Sequence, residues 1–250
     1  MERIFHIGEI SRFFQIPAST LRYWEETGIL SPRKGAWNNY REYTVADLMT
    51  ISDILFYKNL GLSLKQIHTM ESIAPMEHRD LLSKKIQEIE LHKQELNRRI
   101  QRLRIHLFAI ETLQKLKDTP FIEGDIDTEY IIPFEFIEID KLRQYIENPY
   151  LYSRVQHSSH PDEEQRGLTI TARQAGSLPD KHILWKKQSH RYIICLMKEE
   201  ITETFPNNLS SLLAHVQSTY QTGYIISRFL LCAKEDDRLF DFYKTYIEIL

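Results

Sequence analysis

The sequence predicts an α+β chain in three parts, and three observations carry that prediction. Two short amphipathic stretches, Ile7 to Gln15 and Ser19 to Thr27, flank a tight turn and lead into a segment rich in Pro, Gly, Asn, Arg and aromatics. No glycine lies between Gly61 and Gly124, and most of that interval carries an unbroken heptad pattern. From about Thr128 the helical period gives way to β-branched and aromatic runs interleaved with two helical stretches. The divisions fall at residues 1–75, 76–119 and 120–250.

In the first part, Ile10, Phe13 and Phe14 form the apolar side of one helix, Ile16 and Pro17 make the turn, and a second helix stops at Gly28. Two short helices joined this way are the helix-turn-helix signature, in which the second helix enters the DNA major groove. On that helix Leu21 and Trp24 can pack inward while Ser19, Arg22 and Tyr23 share an exposed face; these residue types reach phosphates and base edges. Ser31 to Tyr43 fits a two-stranded wing turning near Gly35 to Asn38, which completes a winged helix-turn-helix. Arg33, Lys34 and Arg41 fall in a nine-residue window without an acid. Such a patch suits phosphate contacts, and a solvated loop has the same composition. Helices Val45 to Asn59 and Ser63 to Met70 follow around Gly61, with Ser63 and Gln66 spaced as a capping box.

Pro75 and Pro120 bracket the second part. Leu82, Ile86, Ile89, Lys93, Leu96, Ile100, Leu103, Leu107 and Ile110 alternate steps of four and three, so eight of nine seam positions are apolar. Four heptads of this pattern predict a coiled coil. Residues 76–118, if all helical, rise roughly 64 Å. The seam can pack on the protein's own domains or on a second copy; a rod longer than a small domain favours the second copy. Lys93 is unfavourable in a dry seam and can set its register.

In the third part, strands are predicted over Tyr130 to Ile139, Gly167 to Arg173, Lys181 to Lys187, His190 to Lys198, Tyr224 to Ala233 and Phe240 to Ile249. Helices are predicted near Asp140 to Glu147 and Asn208 to Tyr220. So few helices among so many strands indicate α+β rather than a doubly wound sheet.

The formal net charge of −3 divides as 0, +3 and −6 over residues 1–75, 76–118 and 119–250, which excludes a globally basic nucleic-acid coat. Cys195 and Cys232 are too few for a disulfide framework or a four-thiolate zinc site and point to a reducing, cytoplasmic address. No apolar stretch approaches the ~20 residues of a membrane span, and Glu2 and Arg3 stand where a secretory signal would begin its apolar core. His157 and His160 are three apart, but no third ligand is fixed by spacing, so no metal is expected. No glycine-rich phosphate loop, serine elbow or nucleophile–base pair is recognisable, and the chain is expected to be neither an enzyme nor a cofactor carrier.

The N-terminal residues resemble a known family. Ile7, Gly8 and Glu9, Thr20 through Glu25, Gly28, Leu30, Pro32, Asn39 through Arg41, Tyr43, Asp47, Leu48 and Gly61 through Leu64 match, in order and spacing, the winged-helix DNA-binding domain of the MerR family of bacterial transcription regulators. The resemblance runs over about residues 4–71. It implies that Arg22 and Tyr23 on the recognition helix and Tyr40 and Arg41 in the wing contact DNA, with Ser19 and Thr20 opening that helix. Glu25 is read as the partner of a nearby arginine, Trp24 as core and Asn39 as shaping the wing turn. Trp37 either lies against a DNA sugar or folds back. The resemblance further implies a homodimer through an antiparallel coiled coil. That dimer grips double-stranded promoter DNA with an overlong spacer and, on binding a small-molecule effector, distorts it until RNA polymerase reads both elements.

The third part is similar to the gyrase-inhibitor-like effector domain of the multidrug-sensing branch of that family. That similarity implies an aromatic-lined pocket with a buried carboxylate facing cationic ligands. Ser227 to Ala233, where the acid is expected, holds no Glu. Glu135, Glu138 or Glu199 could substitute if they point inward. Tyr150, Tyr152, Trp185, Tyr192, Tyr224 and Phe229 are the candidate pocket rings, each equally a candidate for sheet core. Arg228 is the expected partner of an anionic effector, and a simple lipophilic cation is not expected. Two functional readings follow: an effector-responsive regulator whose ligand is aromatic, and a DNA-binding protein whose C-terminal domain is a ligand-free protein-interaction module.

Overall fold

The computed structural model describes residues 3–35, 40–70 and 72–250 and divides into two compact units, Met1–Leu96 and Asn97–Leu250. In the first, α1 (Ile7–Phe14) and α2 (Ala18–Glu26) are joined by a turn that Ser11 holds from both ends. The Ser11 hydroxyl donates to the Ile16 carbonyl at 2.7 Å, and the Ile16 N–H returns to the Ser11 carbonyl at 3.2 Å. Gly28 ends α2 at φ +76°, a conformation that costs a side-chain-bearing residue, and lets the Ile29 and Leu30 N–H groups reach the Trp24 carbonyl.

Strands β1 (Arg33–Lys34) and β2 (Arg41–Glu42) pair antiparallel as the predicted wing. Its turn, with Trp37 and Asn39, lies outside the described residues. Phe5 and Tyr43 exchange two backbone hydrogen bonds at 2.9 Å, tying the wing's return to the start of the chain. Helix α3 (Val45–Asn59) is capped by Thr44 with Asp47, and α4 (Leu64–Met70) by Ser63 with Gln66, each with reciprocal hydrogen bonds. Ile10, Leu21, Trp24, Ile29, Leu30, Ile51, Ile54 and Leu62 fill the core between them.

Helix α5 (Pro75–Asp118) covers the predicted coiled-coil span. From Ile86 onward its seam faces solvent: Ile86, Ile89, Leu96, Ile100, Leu103, Leu107 and Ile110 are all exposed, Leu103 at 65%, whereas Leu82, the first seam position, packs against the N-terminal core. Its C-terminal part does pack within the second unit, where Ala109 and Leu113 meet Leu230, Leu231, Phe240 and Phe242.

The second unit is built on strands β3 (Ile122–Gly124), β4 (Tyr130–Pro133), β5 (Tyr152–His157), β6 (His160–Ile170), β7 (Trp185–Lys186), β8 (Arg191–Glu200), β9 (Thr222–Glu235) and β10 (Arg238–Ile249). They form one antiparallel sheet in the order β3-β8-β10-β9-β5-β6-β4-β7. Helices α6 (Ile139–Glu147) and α8 (Leu209–Gln217) lie on one face through Leu142, Tyr145, Leu209, Leu213 and Val216, and the short α7 (Ala172–Ala175) packs Ala175 into the same core.

Several predicted strands are corrected. The run from Tyr130 stops at Pro133, which has no N–H for a ladder, and Ile139 already opens α6. The run from Gly167 stops at Ile170 because Thr171 caps α7, and its strand starts as early as His160. Of Lys181 to Lys187 only Trp185 and Lys186 are extended. β3 and β5 were not predicted. Gly167 is required at the β4–β6 contact, where a Cβ would sit 2.3 Å from Ile131 Cγ2 and 2.9 Å from the Ile132 carbonyl.

Candidate nucleic-acid interface and ring-lined cavity

On α2, burial of Leu21 and Trp24 turns Ser19, Arg22 and Tyr23 to solvent, with Tyr23 53% exposed and Thr20 half-buried. Arg22 makes no ion pair or hydrogen bond to any described residue, so its guanidinium is available to a phosphate. Arg33 and Lys34 are exposed on β1, and Tyr40 leads into β2 at 68% exposure.

Arg41 is positioned more tightly. Its Nε donates to Glu25 Oε2 at 2.6 Å, while the Tyr43 hydroxyl donates to Glu25 Oε1 at 2.9 Å. Glu25 therefore joins the recognition helix to the wing and fixes the direction of Arg41, whose side chain stays 39% exposed. The hydrogen bond to Glu25 holds the Arg41 pKa above its ordinary value, and burial with the same carboxylate raises that of Tyr43.

The predicted pocket rings do not converge on one place. Tyr152 and Phe229 line a cavity of about 380 Å³ with Phe136, Tyr145, Phe205 and Tyr243. Trp185 and Tyr224 border a different depression beside Tyr130. Tyr192 is fully buried against Tyr246, and Tyr150 sits beside Phe229 with its hydroxyl bonded to His106 on α5. Arg228 points away from the cavity. It follows Ser227 and precedes Phe229 in one strand, so the pleat sends it to the opposite face, where it pairs with Asp127 and donates to the Tyr150 carbonyl at 3.0 Å. It is a bound structural cation there, already supplied with its anion.

Carboxylates do reach the rings, from strands other than the one expected. Glu199 on β8, Asp241 on β10 and Glu164 on β6 line the cavity with Arg154 on β5 and Arg166 on β6. Asp241 and Glu199 are register partners across β10 and β8, and Asp241 also faces Cys232 on β9. Glu135 and Glu138 instead organise the entry to α6: the Glu138 carboxylate accepts from the Glu135 N–H at 2.8 Å and from Lys141 Nζ at 2.7 Å.

Glu199, 5% exposed, receives both ends of the Arg154 guanidinium at 2.7 Å. Arg154 also donates to the Tyr243 hydroxyl at 2.6 Å, lies 4.4 Å above that ring's centre and reaches Glu164 at 3.3 Å. Burial disfavours its charge, but the Glu199 hydrogen bonds outweigh that and raise its pKa. Burial, then Glu199, raises the Asp241 pKa, and burial raises that of Glu164. Arg154, Arg166, Asp241 and Tyr243 escaped the sequence reading; the available signal was the alternation of Tyr152, Arg154 and Gln156 on one side of β5.

His157 and His160 share the Ser159 hydroxyl at a hairpin tip, and among the described residues no group of three His, Cys, Asp or Glu could hold a metal ion. No helix of the described residues is long and apolar enough to cross a membrane.

The folded N-terminal unit defines a winged helix-turn-helix regulatory domain, and residues 5–72 match the model of the MerR HTH family of regulatory proteins. The HTH-type transcriptional regulator HmrR of Rhizobium leguminosarum bv. viciae is 30% identical over 99 residues, which cover 39% of this chain and 74% of that protein. The chain belongs to the MerR HTH family. The multidrug-efflux transporter 2 regulator of Bacillus subtilis is 33% identical over 67 residues, 27% of this chain and 24% of that one. The solved N-terminus of MtaN, the Bacillus subtilis multidrug transporter activator, is 24% identical over 39% of this chain and 92% of its own, with a TM-score of 0.36.

Proposed function

We propose that the protein is a homodimeric transcription regulator that holds double-stranded promoter DNA through α2 and the wing and responds to a small aromatic molecule in the cavity of Phe136, Tyr145, Tyr152, Phe229 and Tyr243. Arg22, Tyr23, Arg33, Lys34, Tyr40 and Arg41 carry the DNA contacts, with Ser19 and Thr20 at the helix start. The exposed α5 seam joins two copies, giving residues 76–119 the role of a dimerisation helix between a DNA-binding domain (1–75) and a ligand-binding domain (120–250). RNA polymerase is reached through the shape of the promoter.

One observation carries the reading: an exposed Arg22, with no partner among the described residues, and a Glu25-directed Arg41 are presented together by a winged helix-turn-helix. The test is selection of duplexes from a random pool by the full chain, followed by titration of the winner. Enrichment of a two-fold-related site bound by two chains is expected, and no enrichment overturns the proposal. A module without ligand draws on the exposed Ile137, Ile139 and Ile146 around α6. Constitutive recovery of one protein on that face, with no small molecule bound, would select it.

A further inference from the structure

The ring cavity contains the two features that attract an organic cation, a buried carboxylate and an aromatic face, and Arg154 already occupies both. Its guanidinium takes both Glu199 oxygens at 2.7 Å and lies 4.4 Å over the Tyr243 ring centre. A cationic ligand entering beside Tyr243 would meet a fixed positive charge where it needs a negative one. Directly across the β5–β6 ladder stands Arg166, a second guanidinium, exposed and resting near the Phe136 ring without an ion pair to any described residue. Of the remaining acids, Glu164 is shared with Arg154. Asp241 lies between Glu199 and Cys232, and burial together with Glu199 opposes its ionisation.

We propose that Arg154 is a specificity-determining residue, a built-in counter-cation that closes the cavity to aromatic monocations and leaves it open to uncharged or acidic aromatic molecules. The proposal rests on the reading of this cavity as the effector site. It departs from the sequence expectation in its cause: the acid is present, and an internal arginine neutralises it. Arg228, on the other face, has no part in it.

The experiment uses probes with one ring system and three charges, 2-naphthol, 2-naphthoate and trimethyl(naphthalen-2-yl)ammonium, titrated calorimetrically into the full chain. The wild type is expected to bind 2-naphthol at least about tenfold more tightly than the ammonium probe, since the cation–π contact that Arg154 already fills is worth about that much in affinity. Arg154→Met, which frees Glu199 and the Tyr243 face, is expected to reverse the order, while Arg154→Lys keeps the charge and the wild-type order. Should Arg154→Met not fold, the wild-type ranking and Asp241→Asn still decide: ammonium binding by the wild type that equals 2-naphthol and disappears in Asp241→Asn overturns the proposal. An unchanged ranking in a folded Arg154→Met overturns it as well. Failure of every probe to bind overturns the reading of the cavity, and this inference with it.

Discussion

One arginine–glutamate pair in the first unit and one in the second are put to opposite uses. Arg41 and Glu25 meet at 2.6 Å with the arginine side chain 39% exposed; Arg154 and Glu199 meet twice at 2.7 Å with side chains 11% and 6% exposed. Through Nε, Glu25 aims a guanidinium whose terminal nitrogens are taken by no other described residue. Glu199 takes both terminal nitrogens, so none is left for an anion. The same chemistry presents a charge in one region and withdraws it in the other, and burial is what separates them: an isolated buried guanidinium is too costly to persist, whereas an exposed one is not.

The solvent-facing side of this comparison includes the α5 seam, where the largest effect is expected. Leu96→Asp with Ile100→Asp places four charges in a two-chain seam and removes four apolar side chains worth about 1.5–3 kcal/mol each when buried. Sedimentation should change from dimer to monomer at micromolar concentration. A wild type that already sediments as a monomer removes the dimer from the proposed function.

Next in size is the buried pair. Glu199→Gln leaves Arg154 with Tyr243 and the more distant Glu164, and urea unfolding should show a loss of about 3–5 kcal/mol. Glu25→Gln should cost about 1 kcal/mol, because Arg41 can turn to water. Equal losses at the two sites would break the comparison.

Arg22→Ala should leave unfolding within about 0.5 kcal/mol of wild type, since the side chain has no partner to lose among the described residues. On a selected duplex, each phosphate contact removed should lower the magnitude of the salt slope by about 0.9, hence about 1.8 for two subunits. An unchanged slope takes Arg22 out of the interface.

The two regions also differ in how far the sequence exposes them. The wing, α1 to α4 and α5 are local structures: caps, a left-handed glycine at 28 and a heptad period lie within a few residues of the elements they define. The cavity is assembled by register across β5, β6, β8, β9 and β10, and its charged residues are far apart in the chain. β5 escaped because Arg154 and Gln156 are polar yet face inward, breaking the apolar alternation that marks a half-buried strand. Arg228 was misplaced relative to Phe229 for a related reason: adjacent residues in a strand share a neighbourhood in sequence and opposite faces in space. The resemblance implies one acid in β9, where Ser227 to Ala233 holds no Glu; Leu230 sits there as an extra residue between the Phe229–Tyr243 and Leu231–Phe242 pairs, and the acids, among them the Glu199 named as a substitute, come from neighbouring strands.

The smallest effect sharpens the comparison at a third site. Glu235 at the end of β9 accepts from Lys117 Nζ at 2.5 Å and from Lys198 Nζ at 2.7 Å, with its side chain 25% exposed. The Lys117 hydrogen bond and then that from Lys198 lower its pKa from 4.5 to about 2. A carboxylate whose folded pKa is depressed binds fewer protons folded than unfolded between those values. Its contribution is therefore complete above about pH 4.5 and disappears as pH falls toward 2. Glu235→Gln should be less stable than wild type at pH 7, and the gap in urea midpoints should narrow steadily between about pH 4.5 and 2. Other carboxylates titrate in both proteins and cancel in the difference. A gap that stays constant across that range would mean that the two lysines lend Glu235 geometry without charge stabilisation, placing it with the exposed pair at Glu25 rather than with the buried one at Glu199.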